Sequence, residues 1–192
     1  MTKLILASAS PRRSDLLKQA GYVFQIRVGE NVNEQLLSPP PRGVELLACE
    51  KARSISKLYS EGVVLGADTV VMLKDEIMGK PRDTEEATAM LRLLSGQKHT
   101  VITGVALIDA SRPHEEITDH VKTDVWMRQL QEEEIYNYVR AGHPFDKAGA
   151  YGIQGVAAVF VDRLEGCYFN VVGLPLSRVC LMLDRYGIKP LF

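Results

Sequence analysis

"LILASASPRRSDLLKQAG", Leu4 to Gly21, passes from an apolar run into a helical pattern, and that passage sets the reading of the whole chain. Leu4 to Ala7 read as a short strand. Ser10 stands at an N-cap position, Pro11 suits the first helical residue, and Leu16, Leu17 and Ala20 recur at helical spacing up to Gly21, a natural stop. A helix therefore starts at Arg12 and Arg13. A helix N-terminus attracts anions through its free N–H groups and macrodipole, so two cations there are unfavourable unless an anion sits among them, and phosphate has most reason to be that anion. The other reading is a surface turn whose arginines meet solvent or distant carboxylates.

Outward from this unit the alternation continues, which is the signature of an α/β sheet protein. Strands are expected at 3–7, 22–28, 63–73, 99–109, 119–127 and 153–163, and helices at 11–20, 43–59, 84–94, 132–140 and 175–186. Asp83 with Glu86 forms a capping-box-like start for the third helix, and Ser95-Gly96 ends it. Strands 99–109 and 119–127 are joined by a polar stretch without helical pattern, which predicts a hairpin and hence a mixed sheet. Gly29 to Pro41, with three consecutive prolines, reads as a loop.

Length and composition exclude several classes. A chain of 192 residues with 46% hydrophobic content can bury a sizeable core as one domain or two tightly joined lobes. A net charge of −1 with interleaved acids and bases argues against a general nucleic-acid binder. Cys49, Cys167 and Cys180 are far apart, odd in number and set in apolar surroundings, which predicts buried free thiols instead of disulfides or a zinc site. No signal-peptide pattern opens the chain, and no apolar run approaches the ~20 residues of a membrane span, so a soluble cytoplasmic protein is expected.

Four further stretches carry chemistry. "VVLGADTVVML", 63–73, is an apolar strand interrupted by Gly66, Asp68 and Thr69; a carboxylate there either holds a metal or activates water, or makes local turn hydrogen bonds. "GKPRD", 79–83, projects Lys80 from a loop stiffened by proline, toward a phosphate or toward solvent. Lys51 lies on or beside the apolar stripe of Val44, Leu47, Ile55 and Leu58 and either snorkels or meets an anion, whereas Arg53 falls off that stripe and is expected to face solvent. "DKAGAYGIQG", 146–155, makes a poor helix and a poor strand; it is a close-packed ligand loop in which Tyr151 stacks or hydrogen-bonds and Gln154 reads a nucleobase edge, or an ordinary glycine-rich connection. "NVVGLP" reads as a structural strand-to-helix turn. The phosphate loop GxxxxGK[ST], GxGxxG, HExxH and GxSxG are all missing, and His99, His114, His120 and His143 show no metal-ligand spacing, which makes each a surface or satisfied polar residue.

Taken together, "LASASPRR", "EKA" at 50–52, "GADTVV" at 66–71, "GKPRD", "LLSGQKHTVITGVAL" at 93–107, "DKAGAYGIQG" and "VVGLPLS" at 171–177 resemble the Maf family of nucleoside triphosphate pyrophosphatases, in order over nearly the full chain. The resemblance implies a single domain over 1–192 of α/β class, with a mixed, elongated and twisted central sheet flanked by helices and two lobes with a cleft between them. It implies hydrolysis of a nucleoside triphosphate to the monophosphate and pyrophosphate, with water attacking the α-phosphorus, a divalent cofactor such as Mg²⁺ or Mn²⁺, and a homodimer without nucleic-acid or membrane partners. Asp68 matches the family's proton acceptor. Arg12, Thr69 and Gln154 match the positions that mark the dTTP and UTP branch, while Ser8, Arg13, Lys51 and Lys80 match polar and basic positions lining the site. Asp68, Glu34 and Glu30 are the candidate metal ligands, with one departure: family members usually carry two adjacent acids after the second strand, and this chain reads "GENVNE", with Asn33 beside Glu34. Two alternatives accompany this reading. One is a pyrophosphatase of similar fold directed at 7-methyl-GTP or purines; the other is a non-catalytic nucleotide-sensing or septum-related binding protein.

Overall fold

The computed structural model describes residues 2–29 and 38–191. Element order is β1 (Leu4–Ala7), α1 (Pro11–Gln19), β2 (Gln25–Arg27), α2 (Arg42–Ser56), β3 (Val63–Leu73), β4 (Glu76–Met78), α3 (Thr84–Leu94), β5 (Lys98–Asp109), β6 (Glu116–Met127), α4 (Glu132–Arg140), β7 (Val161–Glu165), α5 (Tyr168–Val172) and α6 (Leu176–Asp184). Strand order is β2-β1-β3-β5-β6-β7, with β4 on β3. β1 runs parallel to β2 and β3, whereas β4 and β7 pair antiparallel with β3 and β6. The sheet is mixed and helix-flanked, with β5 and β6 as neighbours. No described helix is long and apolar enough to cross a membrane.

The chain divides into two compact units. The first comprises Met1–Asp68, Thr103–Val121 and Gly173–Phe192; the second comprises Thr69–Ile102 and Lys122–Val172. β3, β5 and β6 contribute residues to both. In the first unit, Ile5 and Ala7 of β1, Val64 of β3 and Ile108 of β5 pack with Ala48, Ala52 and Ile55 of α2. In the second, α3 and α4 bury Leu91, Leu94, Ile135 and Tyr138 with Val101, Val125 and Phe160. Each fully buried aliphatic side chain contributes about 2 kcal/mol of transfer free energy.

Local signals account for most boundaries. Asp83 caps α3 by accepting from the Glu86 N–H at 2.8 Å, but the Glu86 carboxylate turns to Arg82 and does not complete the box. Gly21 and Gly96 take the left-handed backbone that ends α1 and α3. Ser10 occupies the N-cap of α1 without a side-chain cap. Two expectations are corrected, and two elements are new. Residues 155–160, expected as strand, form a 3₁₀ turn, and β7 begins only at Val161. α2 ends at Ser56, leaving Leu58 71% exposed, so Ala48 and Ala52 form the buried stripe in its place. β4 and α5 were not anticipated; both are short enough that periodicity carries no signal.

Candidate active site

Helix α2 lies against the sheet at two glycines. A Cβ on Gly66 of β3 would stand 2.1 Å from the Ala48 carbonyl oxygen and 2.9 Å from the Ala52 nitrogen, and one on Gly104 of β5 would stand 2.4 Å from Val44. Backbone therefore rests on backbone, which any side chain would prevent. That seat brings Lys51 to Asp68: the ammonium donates to Asp68 Oδ1 at 2.7 Å, and each side chain is 14% exposed. A lysine beside the helix stripe has thus met an anion instead of snorkelling. A carboxylate beside a cation, mostly enclosed yet still reachable from solvent, is placed as a proton acceptor needs to be.

In the same unit, β1 ends into the N-terminal turn of α1. Ser8, 7% exposed, accepts hydrogen bonds from the Ser10 N–H and from Arg13 Nη1, both at 3.2 Å. Arg13 Nε donates to the Gly173 carbonyl at 2.9 Å. The guanidinium is therefore oriented from two sides at a helix start that carries no acidic residue in its first turn. Such an end is electropositive from both backbone and side chains, suited to a phosphate group. Arg12 is half-buried on the same turn. "NVVGLP" does more than turn the chain, because its Gly173 carbonyl aims Arg13.

Arg53 departs from expectation. Instead of facing solvent alone, it forks onto Glu116 at 2.6 to 2.8 Å, and the Cys49 thiol donates to the same carboxylate at 2.9 Å. Burial, and then the Glu116 carboxylate, push that thiol up to about 12. Of the three free cysteines only Cys49 is fully buried; Cys167 and Cys180 are partly exposed.

Thr69, Lys80 and Gln154 belong to the second unit. Lys80 is exposed on a loop held at both ends: the Gly79 carbonyl accepts from the Gly149 N–H at 3.0 Å, and Arg82 bonds Glu86 through its backbone at 2.7 Å and through Nε at 2.9 Å. Gln154 is exposed in extended backbone between buried Ile153 and a left-handed Gly155. Tyr151 is not available to stack on a ligand. It is 5% exposed, and its hydroxyl lies 2.6 Å from His99 Nε2. His99 is likewise not on the surface, being 1% exposed. Burial pulls its pKa down to about 4, so the ring is neutral, and burial also raises the Tyr151 phenol.

Glu30 and Glu34 lie outside the described residues, as does Asn33. Among the described residues no group of three His, Cys, Asp or Glu side chains converges as a metal cage. What escaped the sequence reading was the long-range set: Gly173 with Arg13, Glu116 with Arg53, and His99 with Tyr151.

A family model described as Maf-like protein matches residues 3–186. A dTTP/UTP pyrophosphatase from Geobacillus sp. (strain WCH70) is 51% identical over 189 residues, covering 97% of this chain and 100% of that protein. One from Pelotomaculum thermopropionicum is 48% identical over 197 aligned positions, covering 100% of both chains. One from Symbiobacterium thermophilum is 49% identical over 194 positions, covering 100% of this chain and 97% of its own.

Proposed function

This chain belongs to the Maf family, and from that premise we propose that it is a nucleoside triphosphate pyrophosphatase converting dTTP and UTP to the monophosphate and pyrophosphate. The observation that carries the reading is the half-buried Lys51–Asp68 pair at 2.7 Å, a carboxylate and a cation poised together in a family whose chemistry needs both. Relatives named for this activity align along the whole chain, which does not favour a sensor or a purine-directed enzyme.

Hydrolysis at the α-phosphorus requires a water oxygen to form the new P–O bond while the bond to the β-phosphate bridging oxygen breaks. Asp68 takes the proton of that water, and pyrophosphate leaves with the bonding pair. Negative charge shifts toward the leaving group as this happens, and Arg13, Lys51 and Lys80 are assigned to neutralise it. Ser8 holds Arg13 in orientation while its own O–H remains able to donate. Arg12, Thr69 and Gln154 are assigned to the base. A uracil or thymine edge, with a carbonyl beside an N–H, pairs with both ends of a glutamine amide.

A divalent cation, Mg²⁺ or Mn²⁺, completes the proposal. The donor chemistry fits in part: Asp68 offers hard carboxylate oxygen, and such ions are commonly held by one or two carboxylates plus substrate phosphates and water, without a dedicated protein cage. Asp68 would hold it, with Glu30 or Glu34 as the second carboxylate. When bound, the ion would supply Lewis acidity toward phosphate oxygens.

The test is pyrophosphate release from dTTP, UTP, CTP, GTP and 7-methyl-GTP with Mg²⁺ or Mn²⁺, run beside Asp68→Asn. Turnover confined to dTTP and UTP, and lost in the variant, is the expected result. Hydrolysis of 7-methyl-GTP alone would overturn the base assignment, and nucleotide binding without turnover in the native protein would overturn the enzyme.

A further inference from the structure

The pair His99–Tyr151 sits in a place where an apolar pair would pack at lower cost. Both side chains are buried, at 1% and 5% exposure, and their rings meet edge to face at 5.3 Å. Sealing a polar pair in a core carries a desolvation cost that an apolar pair of the same shape would not. What the polar pair adds is a fixed point: the hydroxyl at the end of Tyr151 is held at 2.6 Å by a ring anchored on β5.

Tyr151 adjoins two elements of the second unit assigned above to substrate: the Gly149 turn that bonds the residue before Lys80, and the run leading to Gln154. Immediately before Tyr151, Gly149 and Ala150 both take left-handed backbone, at φ 70° and 63°. Such a conformation costs a non-glycine residue roughly 1 kcal/mol or more, so the turn persists only where its surroundings hold it. The turn has two uses. Its Gly149 N–H bonds the carbonyl of Gly79, the residue before Lys80, and its Gly149 backbone packs 3.2 to 3.3 Å from Val71 where a Cβ would be. After Tyr151 the chain runs with Tyr151 and Ile153 buried and Gln154 exposed, so a shift of Tyr151 along or about the backbone changes where Gln154 points. The Lys147 stem lies over Gly152, 2.9 Å from where its Cβ would be, and closes the loop from the other side.

We infer that His99 and Tyr151 are positioning residues for nucleotide recognition: their hydrogen bond locks the Gly149–Gln154 segment and thereby sets the presentation of Gln154 to the pyrimidine edge and of Lys80 to phosphate. The inference rests on the roles proposed above for Gln154 and Lys80. Neither His99 nor Tyr151 touches substrate; both act through the loop.

Tyr151→Phe deletes the hydroxyl alone and keeps the packing. The expected result is a KM for dTTP raised about tenfold, the scale of one hydrogen bond lost, with kcat changed by less than about threefold because Asp68 is untouched. Discrimination of dTTP over CTP falls together with it. His99→Leu reproduces the effect, His99→Gln, which keeps a polar group in reach of the phenol, restores most of it, and the double variant His99→Leu with Tyr151→Phe is no worse than either single. Amide hydrogen exchange over 148–155 accelerates in Tyr151→Phe while the melting temperature holds within a few degrees. Unchanged KM, discrimination and loop exchange in a folded Tyr151→Phe would overturn the inference, as would a loss of stability without any change in those three. If the native protein turns over neither dTTP nor UTP, the proposed function fails instead; the loop-exchange comparison then still decides whether the strut holds the segment.

Discussion

Two polar pairs of nearly equal length teach different lessons about this chain. Lys51–Asp68, at 2.7 Å, joins opposite charges that each keep 14% of their side-chain surface in contact with solvent. His99–Tyr151, at 2.6 Å, joins two neutral groups sealed to 1% and 5%. A charge left partly open can exchange its partner for a proton, a phosphate or an ion. A neutral pair closed from water has nothing to exchange and serves to hold backbone. We assign the first pair to chemistry and the second to geometry, in keeping with the burial of each.

That contrast can be broken experimentally, beginning where the effect is largest. Asp68→Asn should lower turnover of dTTP about a thousandfold, the middle of the range for losing a general base, while equilibrium binding of the nucleotide changes little; near-native turnover would remove Asp68 from proton transfer. Gly66→Ala attacks the same pair from beneath. The added methyl meets the Ala48 carbonyl at 2.1 Å, so α2 must lift from β3 and carry Lys51 away from Asp68. Stability should fall by about 3 kcal/mol, the upper end for overpacking, with loss of turnover in whatever remains folded. A urea midpoint equal to the native one would mean that α2 does not rest on Gly66.

The second pair carries a pH signature. The folded-state pKa of His99, depressed by burial to about 4, lies below the ordinary value of 6.5. Between these values the unfolded chain binds the proton and the folded chain does not, so stability is full above about pH 6.5 and declines as pH falls toward 4. The loss attributable to this one group approaches about 3 kcal/mol at the bottom of the window. The Asp124 charge and the Gln97 backbone oppose the shift but do not cancel it. Denaturant unfolding of the native protein and His99→Gln at pH 7, 5.5 and 4.5 measures the difference between the two slopes; parallel slopes would mean that His99 is not buried neutral. The smallest effect serves as a control on the comparison. Asp83→Ala removes the cap of α3 and should cost about 1 kcal/mol without altering kcat, since the cap touches neither pair.

Much of this arrangement was legible from residue order. The turn from β1 into α1, the eleven residues of β3 and the Asp83 start of α3 follow from local rules that operate within a few positions. Asp68 was conspicuous because a carboxylate in an apolar strand needs a reason, and Lys51 because a lysine beside an apolar stripe needs an anion. Residues 155–160 were misread because GVAAVF is as apolar as a strand, whereas the left-handed Gly155 at its start turns the backbone into a 3₁₀ path. Arg53 eludes helical periodicity because its partner Glu116 stands on another element, β6.

By itself the sequence determined which residues carry charge at a strand break and a helix start, where most of the longer helices begin, and that the sheet is mixed. These are consequences of backbone propensity, capping and hydrophobic period, all of which act between near neighbours. Only the tertiary structure decided that Gly173 aims Arg13, that Gly66 and Gly104 seat α2 so that Lys51 reaches Asp68, and that His99 closes on Tyr151. Those contacts join positions 17 to 160 residues apart. Their formation depends on where packing brings backbones into contact, a property of the assembled core that no local pattern encodes.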